Sequence, residues 1–309
     1  MIYRPFGKVA DSVSAVGMGT WNIGGQWGEM TDELAIEIVK SAYEHGVTVF
    51  DTAETYGDPH GISEIRLGKA LKDIRDKVVI VSKIGYWGFR QGETLGLKTV
   101  DSIRLCGHAI CGRLQTSCVD VILCHHDMIE DPSVFIDGFE CLIEEGFLKH
   151  YGISTNNFDV LKNFYEVSKG RCSVVELDYS LANKQPEEEI LPFCMEHGIA
   201  VLARGPLGMG VLSGKFDENT VFTDAVRAPF NEGGEKREKF LSDLAVVKNT
   251  KEVLDQKNQE MSLAEAAVKY IISHPAGVIA IPGMTTISQV EKNTAAGATV
   301  FTPEEFAKL

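Results

Sequence analysis

The chain has 309 residues, 44% hydrophobic and 24% charged, enough to bury a large core. Its formal net charge of −14 argues against nucleic acid and anionic membrane surfaces as partners. No run approaches the roughly 20 apolar residues that cross a bilayer, the N-terminus MIYRPFGKVADS has no apolar signal core, and the cysteines form no C-x-x-C pair. A reduced, cytoplasmic protein is therefore expected.

Residues 2–13 read as a short hairpin. From there β-rich runs alternate with amphipathic segments. A run near residues 15–18 precedes a helix at 32–45, where Thr31, Asp32 and Glu33 supply a cap and first-turn acids. The pattern repeats: 47–50 (VTVF) before 63–71, 78–81 (VVIV) before 97–116, and 119–123 (VDVIL) before 132–145. It continues with 151–153 (YGI) before 157–167 and 173–177 (SVVEL) before 187–197. After 199–202 (IAVL), residues 205–235 are too long for an ordinary βα loop, a length typical of functional covers or disorder. The charged run 235–239 reads as a solvated helix start. Ser262 stands in capping-box spacing to Glu265 at the head of a helix over 262–274, and 278–281 (VIAI) is the last run. Eight strands joined by helical crossovers imply a parallel sheet. A closed (β/α)8 TIM barrel with an N-terminal β-hairpin and a long loop after strand 7 is expected ahead of an open doubly wound sheet. With no linker or composition shift, residues 1–309 read as one domain.

In such a barrel the chemistry lies at the C-terminal ends of the strands. Asp51 and Tyr56 follow the second strand, Lys83 the third, His125 and His126 the fourth, Ser154 and Asn156 the fifth. A phenol with a pKa of about 10 is a poor acid at neutral pH. A neighbouring ammonium stabilises its phenolate, a carboxylate can hold that ammonium, and an imidazole can orient a carbonyl oxygen. The set reads as a proton donor for a developing alkoxide. Adjacent strand residues face opposite sides, so no metal is expected between His125, His126 and Asp127. The glycines of 205–214 do not form a G-x-G-x-x-G turn opening a helix.

Further elements are FDTAETYG at residues 50–57, the Gly61, Ser63, Glu64, Leu67, Gly68 spacing, and Lys83 at a strand end. The run from Asp120 to His125, GIST at 152–155, GPLGMGVLSGK at 205–215, and IPG at 281–283 followed by Gln289, Glu291 and Asn293 complete the set. In this order, over nearly the whole chain, they resemble the aldo-keto reductase superfamily. The resemblance implies an NAD(P)-dependent barrel enzyme that reduces a carbonyl to an alcohol or runs the reverse. It implies Tyr56 as general acid, Lys83 lowering its pKa, Asp51 pairing with Lys83, and His125 positioning the substrate oxygen. Ser154 and Asn156 would bind the nicotinamide carboxamide. Glu176 stands where the family has a glutamine and could accept from that carboxamide but not donate. Arg204 stands where many members stack an aromatic ring on the nicotinamide. Leu207, Gly210, Ser213 and Lys215 would lie at the pyrophosphate, and Gly283, Thr285, Gln289 and Asn293 at the final cofactor segment. That segment lacks Lys and Arg from 283 to 289. NADPH is expected from the family, with weak discrimination against NADH that falls further in salt, because Lys292 would be an exposed contact.

Trp21, Trp87 and His126 are candidate pocket walls. Phe216, Phe222 and Phe230 suggest a partly apolar lid, and Arg227 and Lys236 leave room for an anionic or sugar substrate. A small-molecule carbonyl partner and a monomer or weak homo-oligomer are expected. Two other readings compete. One is a cofactor-binding barrel serving as a regulatory or interaction subunit, which the intact Asp51, Tyr56, Lys83 and His125 set disfavours. The other is a barrel lyase or isomerase using Lys83 as a Schiff base, which borohydride trapping would reveal.

Overall fold

The computed structural model describes residues 1–86, 97–256 and 261–309; Trp87 lies outside the described residues. Strands β1 (Tyr3–Phe6) and β2 (Ala10–Ser14) pair antiparallel as the N-terminal hairpin. Eight parallel strands follow in sequential order: β3 (Met18–Gly19), β4 (Val49–Asp51), β5 (Val79–Ile84), β6 (Val119–Cys124), β7 (Leu148–Ser154), β8 (Cys172–Asp178), β9 (Ala200–Arg204) and β10 (Ile279–Ala280). Parallel bridges between Val16 and Ala280 and between Gly19 and Gly283 join the last strand to the first. The sheet therefore curls into the expected (β/α)8 barrel and is not open.

The crossovers are α1 (Asp32–Glu44), α2 (Ile62–Leu71), α3 (Val100–Leu114), α4 (Ser133–Glu144), α5 (Phe158–Val167), α6 (Ile190–His197), α7 (Arg237–Gln256) and α8 (Leu263–Ser273), with α9 (Ile287–Ala295) and α10 (Pro303–Phe306) closing the chain. Side-chain caps start several of them: Thr31 accepts from Leu34 N, Thr99 and Ser102 form a capping box, and Ser262 accepts from Glu265 N. Only the charged start of α7 is legible in the sequence. Its buried face, Phe240, Asp243, Thr250 and Leu254, includes two polar residues that blur the helical period.

Strand alternation builds two nested apolar layers. Val49, Val81, Val121, Leu123, Val174, Leu202 and Ile279 fill the barrel interior, with Phe6 and Val13 of the hairpin packed into the same cluster. Phe50, Ile80, Ile122, Val175 and Val201 form the outer layer against the helices. Two residues beyond Val49, Val81, Val174 and Leu202, the inward period reaches Asp51, Lys83, Glu176 and Arg204. The apolar interior thus gives way to charge at the C-terminal rim. Gly152 sits where β7 slips register, and a Cβ there would lie 1.8 Å from the carbonyl oxygen of Val174, so only glycine fits.

The segment after β9 contains 3-10 turns at Gly208–Ser213 and Ala228–Phe230. Phe222 and Phe230 are buried against each other and against Phe240 of α7, with Phe216 at the edge. These rings form a small core of their own with α7. Arg227 lies over the rings of Trp27, Phe216 and Phe222 and pairs with Asp224 at 2.8 Å, so it is not held ready for an anion. Among the described residues no helix is long and apolar enough to cross a membrane.

Candidate active site

Lys83 projects inward from β5 and is wholly buried. Its ammonium makes a hydrogen-bonded ion pair with Asp51 Oδ1 at the end of β4 and donates to the Thr52 carbonyl at 2.9 Å. A turn closed by Tyr56 N donating to the Ala53 carbonyl brings the Tyr56 ring back over it. Lys83 Nζ then lies 3.1 Å from Tyr56 Oη and 4.8 Å from the ring centre. Trp21 stacks on Tyr56 with centroids 6.1 Å apart, and His125 meets the same ring edge-on at 6.4 Å. His125 follows β6 and is fastened by its own N–H to the Ile84 carbonyl, with Tyr86 against its ring. Asp51, Tyr56, Lys83 and His125 are therefore brought together. Tyr56 retains 8% exposure where Asp51 retains 3% and Lys83 and Glu176 retain none, so it is the most accessible residue of this buried set.

Glu176 enters the same cluster from β8, with Oε2 3.1 Å from Lys83 Nζ. Sequence reasoning treated it only as a carboxamide ligand. The signal was present in SVVEL, where Val174 faces inward and Glu176 is two residues on. Burial drives the Asp51 carboxyl well above its ordinary pKa, and the charge of Glu176 adds to this against the pull of Lys83. Burial alone would depress Lys83, but Asp51, Glu176 and Tyr56 lift it above the ordinary lysine value. Burial raises the Tyr56 phenol above its ordinary value; Lys83 opposes this, as an ammonium should, and is outweighed with help from Asp51 and Glu176.

Around this set lie further polar and charged groups. Glu54 Oε1 accepts from Gly85 N at 2.9 Å, and burial pushes its carboxyl up to about 7. Glu64 pairs with Arg113 at 2.5 Å and accepts from Ser82 Oγ at 2.6 Å. Gln26 Oε1 accepts from Gly57 N at 3.1 Å and from the Trp21 indole, tying the first rim loop to the turn that carries Tyr56. His126 is half-buried just beyond the end of β6.

On the other side of the rim, Ser154 is buried at the end of β7 in register with Glu176. Asn156 is already engaged: Nδ2 donates to the Asp178 carbonyl at 2.9 Å, while Oδ1 accepts from Asp178 N at 2.8 Å and from Arg204 at 3.3 Å. Leu207, Gly210 and Ser213 form the turn after β9, where Ser213 Oγ donates to the Gly210 carbonyl at 2.6 Å, and Lys215 is exposed beyond it. Gly283 packs on Asn22, where a Cβ would lie 1.7 Å from Oδ1. Gln289 Oε1 accepts from Thr285 N at 2.7 Å and Thr285 Oγ1 at 3.0 Å. Asn293 is buried, and its Nδ2 finds no hydrogen-bond partner among the described residues.

A family model described as the Aldo/keto reductase family matches residues 15–309. The chain is 27% identical over 300 residues to the methylglyoxal reductase of Escherichia coli (strain K12), covering 96% of this chain and 90% of the relative. An aldo-keto reductase from Bacillus halodurans, solved in its holo form, superposes with a TM-score of 0.79 at 29% identity, covering 100% of this chain and 95% of that one. One from Klebsiella pneumoniae, solved in complex with NADP and acetate, superposes with a TM-score of 0.71 at 26% identity, covering 98% and 92%.

Proposed function

From the premise that the chain belongs to the aldo/keto reductase family and is an oxidoreductase, we propose that it reduces a small aldehyde, ketone or sugar carbonyl, or runs the reverse, with Tyr56 as the proton donor. The observation that carries this reading is the Tyr56 hydroxyl held 3.1 Å from a buried ammonium and flanked by His125. Tyr56 Oη gives its proton to the substrate oxygen as the carbonyl carbon is reduced. Lys83 stabilises the phenolate that remains, Asp51 holds Lys83 in place, and His125 orients the oxygen. Trp21, stacked on Tyr56, shields that proton from water and walls the pocket with His126. The carboxylates that keep Lys83 charged disfavour it as a neutral amine nucleophile, which a Schiff-base mechanism needs.

The nicotinamide cofactor borne by a family neighbour supplies hydride when bound. The residues present fit it. Asn293 Nδ2 is a buried donor awaiting an acceptor, and the Glu176 carboxyl contacts Asp51 and Lys83 but has no other donor among the described residues. Ser154 and Glu176 Oε1 would hold the carboxamide and Arg204 would lie against the ring. Leu207, Gly210, Ser213 and Lys215 would hold the pyrophosphate, and Gly283, Thr285, Gln289 and Asn293 the adenosine end. Asn156, already bound to Asp178, braces Arg204 instead of gripping the cofactor. NADPH is accepted with weak discrimination against NADH, because Gln289 is committed to Thr285 and the segment offers no cation before exposed Lys292.

The test is the purified Tyr56→Phe variant, assayed by cofactor oxidation against aldehydes, ketones and sugars. Turnover should fall by roughly 10²- to 10⁴-fold while cofactor binding survives. Wild-type turnover on a good substrate would sink the assignment.

A further inference from the structure

Lys83 has one acceptor too many. An ammonium carries three protons. Asp51 Oδ1, Thr52 O, Tyr56 Oη and Glu176 Oε2 all lie no more than 3.1 Å from it. The first three accept hydrogen bonds, while Glu176 Oε2 makes an ion pair without an aligned hydrogen bond. Glu176 is wholly buried, so little water screens its charge. Two carboxyl groups, themselves in hydrogen-bond contact, thus face one ammonium. The second anion weakens the positive potential that the ammonium exerts on the neighbouring phenol.

We infer that Glu176 is a positioning residue of the proton-transfer machinery, a second counter-ion that acts on Tyr56 through Lys83, keeps the phenol protonated and biases the site toward carbonyl reduction over alcohol oxidation. The inference rests on the reading of Tyr56 as proton donor. In reduction the Tyr56 O–H bond breaks and the alcohol O–H bond forms as hydride from the nicotinamide reaches the carbonyl carbon, leaving a phenolate. Oxidation runs these bonds backwards and must start from that phenolate. A group that disfavours the phenolate therefore widens the pH range of reduction and narrows that of oxidation.

Among the described residues, the charges facing the phenol and its lysine are few. Asp51 comes from β4, His125 from beyond β6 and Glu176 from β8; Glu64 of α2 also acts on Lys83 but is paired with Arg113. Of the two acids in direct contact with Lys83, Asp51 is accounted for by the family pattern. Glu176 stands where the family resemblance implies a neutral glutamine. Its neutral isostere, glutamine, removes the charge and keeps the shape.

The experiment titrates Tyr56 directly. Tyrosinate absorbance is followed against pH in the wild type and in Glu176→Gln, each as the difference from its Tyr56→Phe counterpart. The pH profiles of kcat/KM are recorded in both directions with the same proteins. In Glu176→Gln the Tyr56 titration should move to lower pH by about one pH unit or more. The alkaline limb of reduction should move with it, and alcohol oxidation near neutrality should rise about tenfold. Glu176→Asp keeps the charge and should keep the wild-type limb, and Glu176→Met, which also removes the charge, should shift it as the glutamine variant does if that variant folds poorly. A folded Glu176→Gln with an unmoved Tyr56 titration would overturn the proposal, above all if cofactor affinity falls instead. So would an equal shift in Glu176→Asp. If the absorbance titration shifts but no carbonyl is reduced by any of these proteins, the electrostatic coupling stands and the reading of function fails.

Discussion

At the scale of single residues, the rim is a place where burial competes with charge. Lys83 remains charged because two carboxylates compensate its desolvation, and Tyr56 remains protonated because one ammonium does not outweigh burial and those same carboxylates. Glu54 shows the same competition, since Gly85 N, Arg113 and the Cys106 thiol together do not offset burial and the charge of Glu64. Folding raises this carboxyl from an ordinary glutamate value to about 7, so the native state binds its proton more tightly than the unfolded chain. The resulting stability is fully present below a pH of about 4.3 and is lost as pH rises through about 7. Glu54→Gln should remove that loss and be more stable than wild type above neutrality, by as much as about 3 kcal/mol. Denaturant midpoints at about pH 5 and about pH 8 check this. A variant that is the less stable of the two at both values would show that Glu54 is held as a productive carboxylate.

At the scale of elements, the proposed function assigns binding to the βα loops and helix starts and chemistry to the strand ends. The turn from Gly283 into α9 illustrates what a loop can and cannot offer an anion. Thr286 caps α9 by accepting from Gln289 N, and Gln289 closes the same turn on Thr285, so the helix start is orderly but carries no cation. On the proposed reading, a 2′-phosphate there would meet hydroxyls, the positive end of a short helix and, one turn on, exposed Lys292. Such contacts are weaker than a bidentate arginine and are screened by salt. The ratio of kcat/KM for NADPH over NADH should therefore be modest at low ionic strength and smaller at high ionic strength. A large ratio that salt leaves unchanged would mean that a buried cation grips the phosphate, with Arg204 and Lys215 the first to replace.

At the scale of the whole molecule, the barrel divides its labour between two ends. The hairpin packs Phe6 and Val13 into the barrel interior with Val49 and Val174, while the charged groups lie at the opposite rim, two residues further along the strands. Phe6 is 1% exposed, so truncating it opens a cavity in the interior. Phe6→Ala should cost about 3–5 kcal/mol of global stability and leave kcat of the folded enzyme unchanged, because the chemistry is at the other end. Thermal unfolding and steady-state turnover measured on the same preparation check both halves. A variant with near-native stability and impaired turnover would contradict this division.

Much of this was legible in the chain itself. Alternating runs and caps such as Thr31 and Ser262 are local properties, so the order of strands and helices and hence the (β/α)8 arrangement could be read without coordinates. The spacing of Asp51 and Tyr56 within one turn is equally local, and Lys83 and His125 each stand at the end of a neighbouring strand. What the tertiary structure alone decided are pairings between residues far apart in sequence. Glu176 reaches Lys83 because the barrel curves its inward-facing residues onto one axis; Asn156 is taken by Asp178 because β7 and β8 are neighbours; Phe222 and Phe230 pack together because α7 offers Phe240. Each depends on strand register or on which element lies alongside. A sequence specifies these only through the energy of the whole packed chain, since no short motif records which side chain a buried charge or ring will meet.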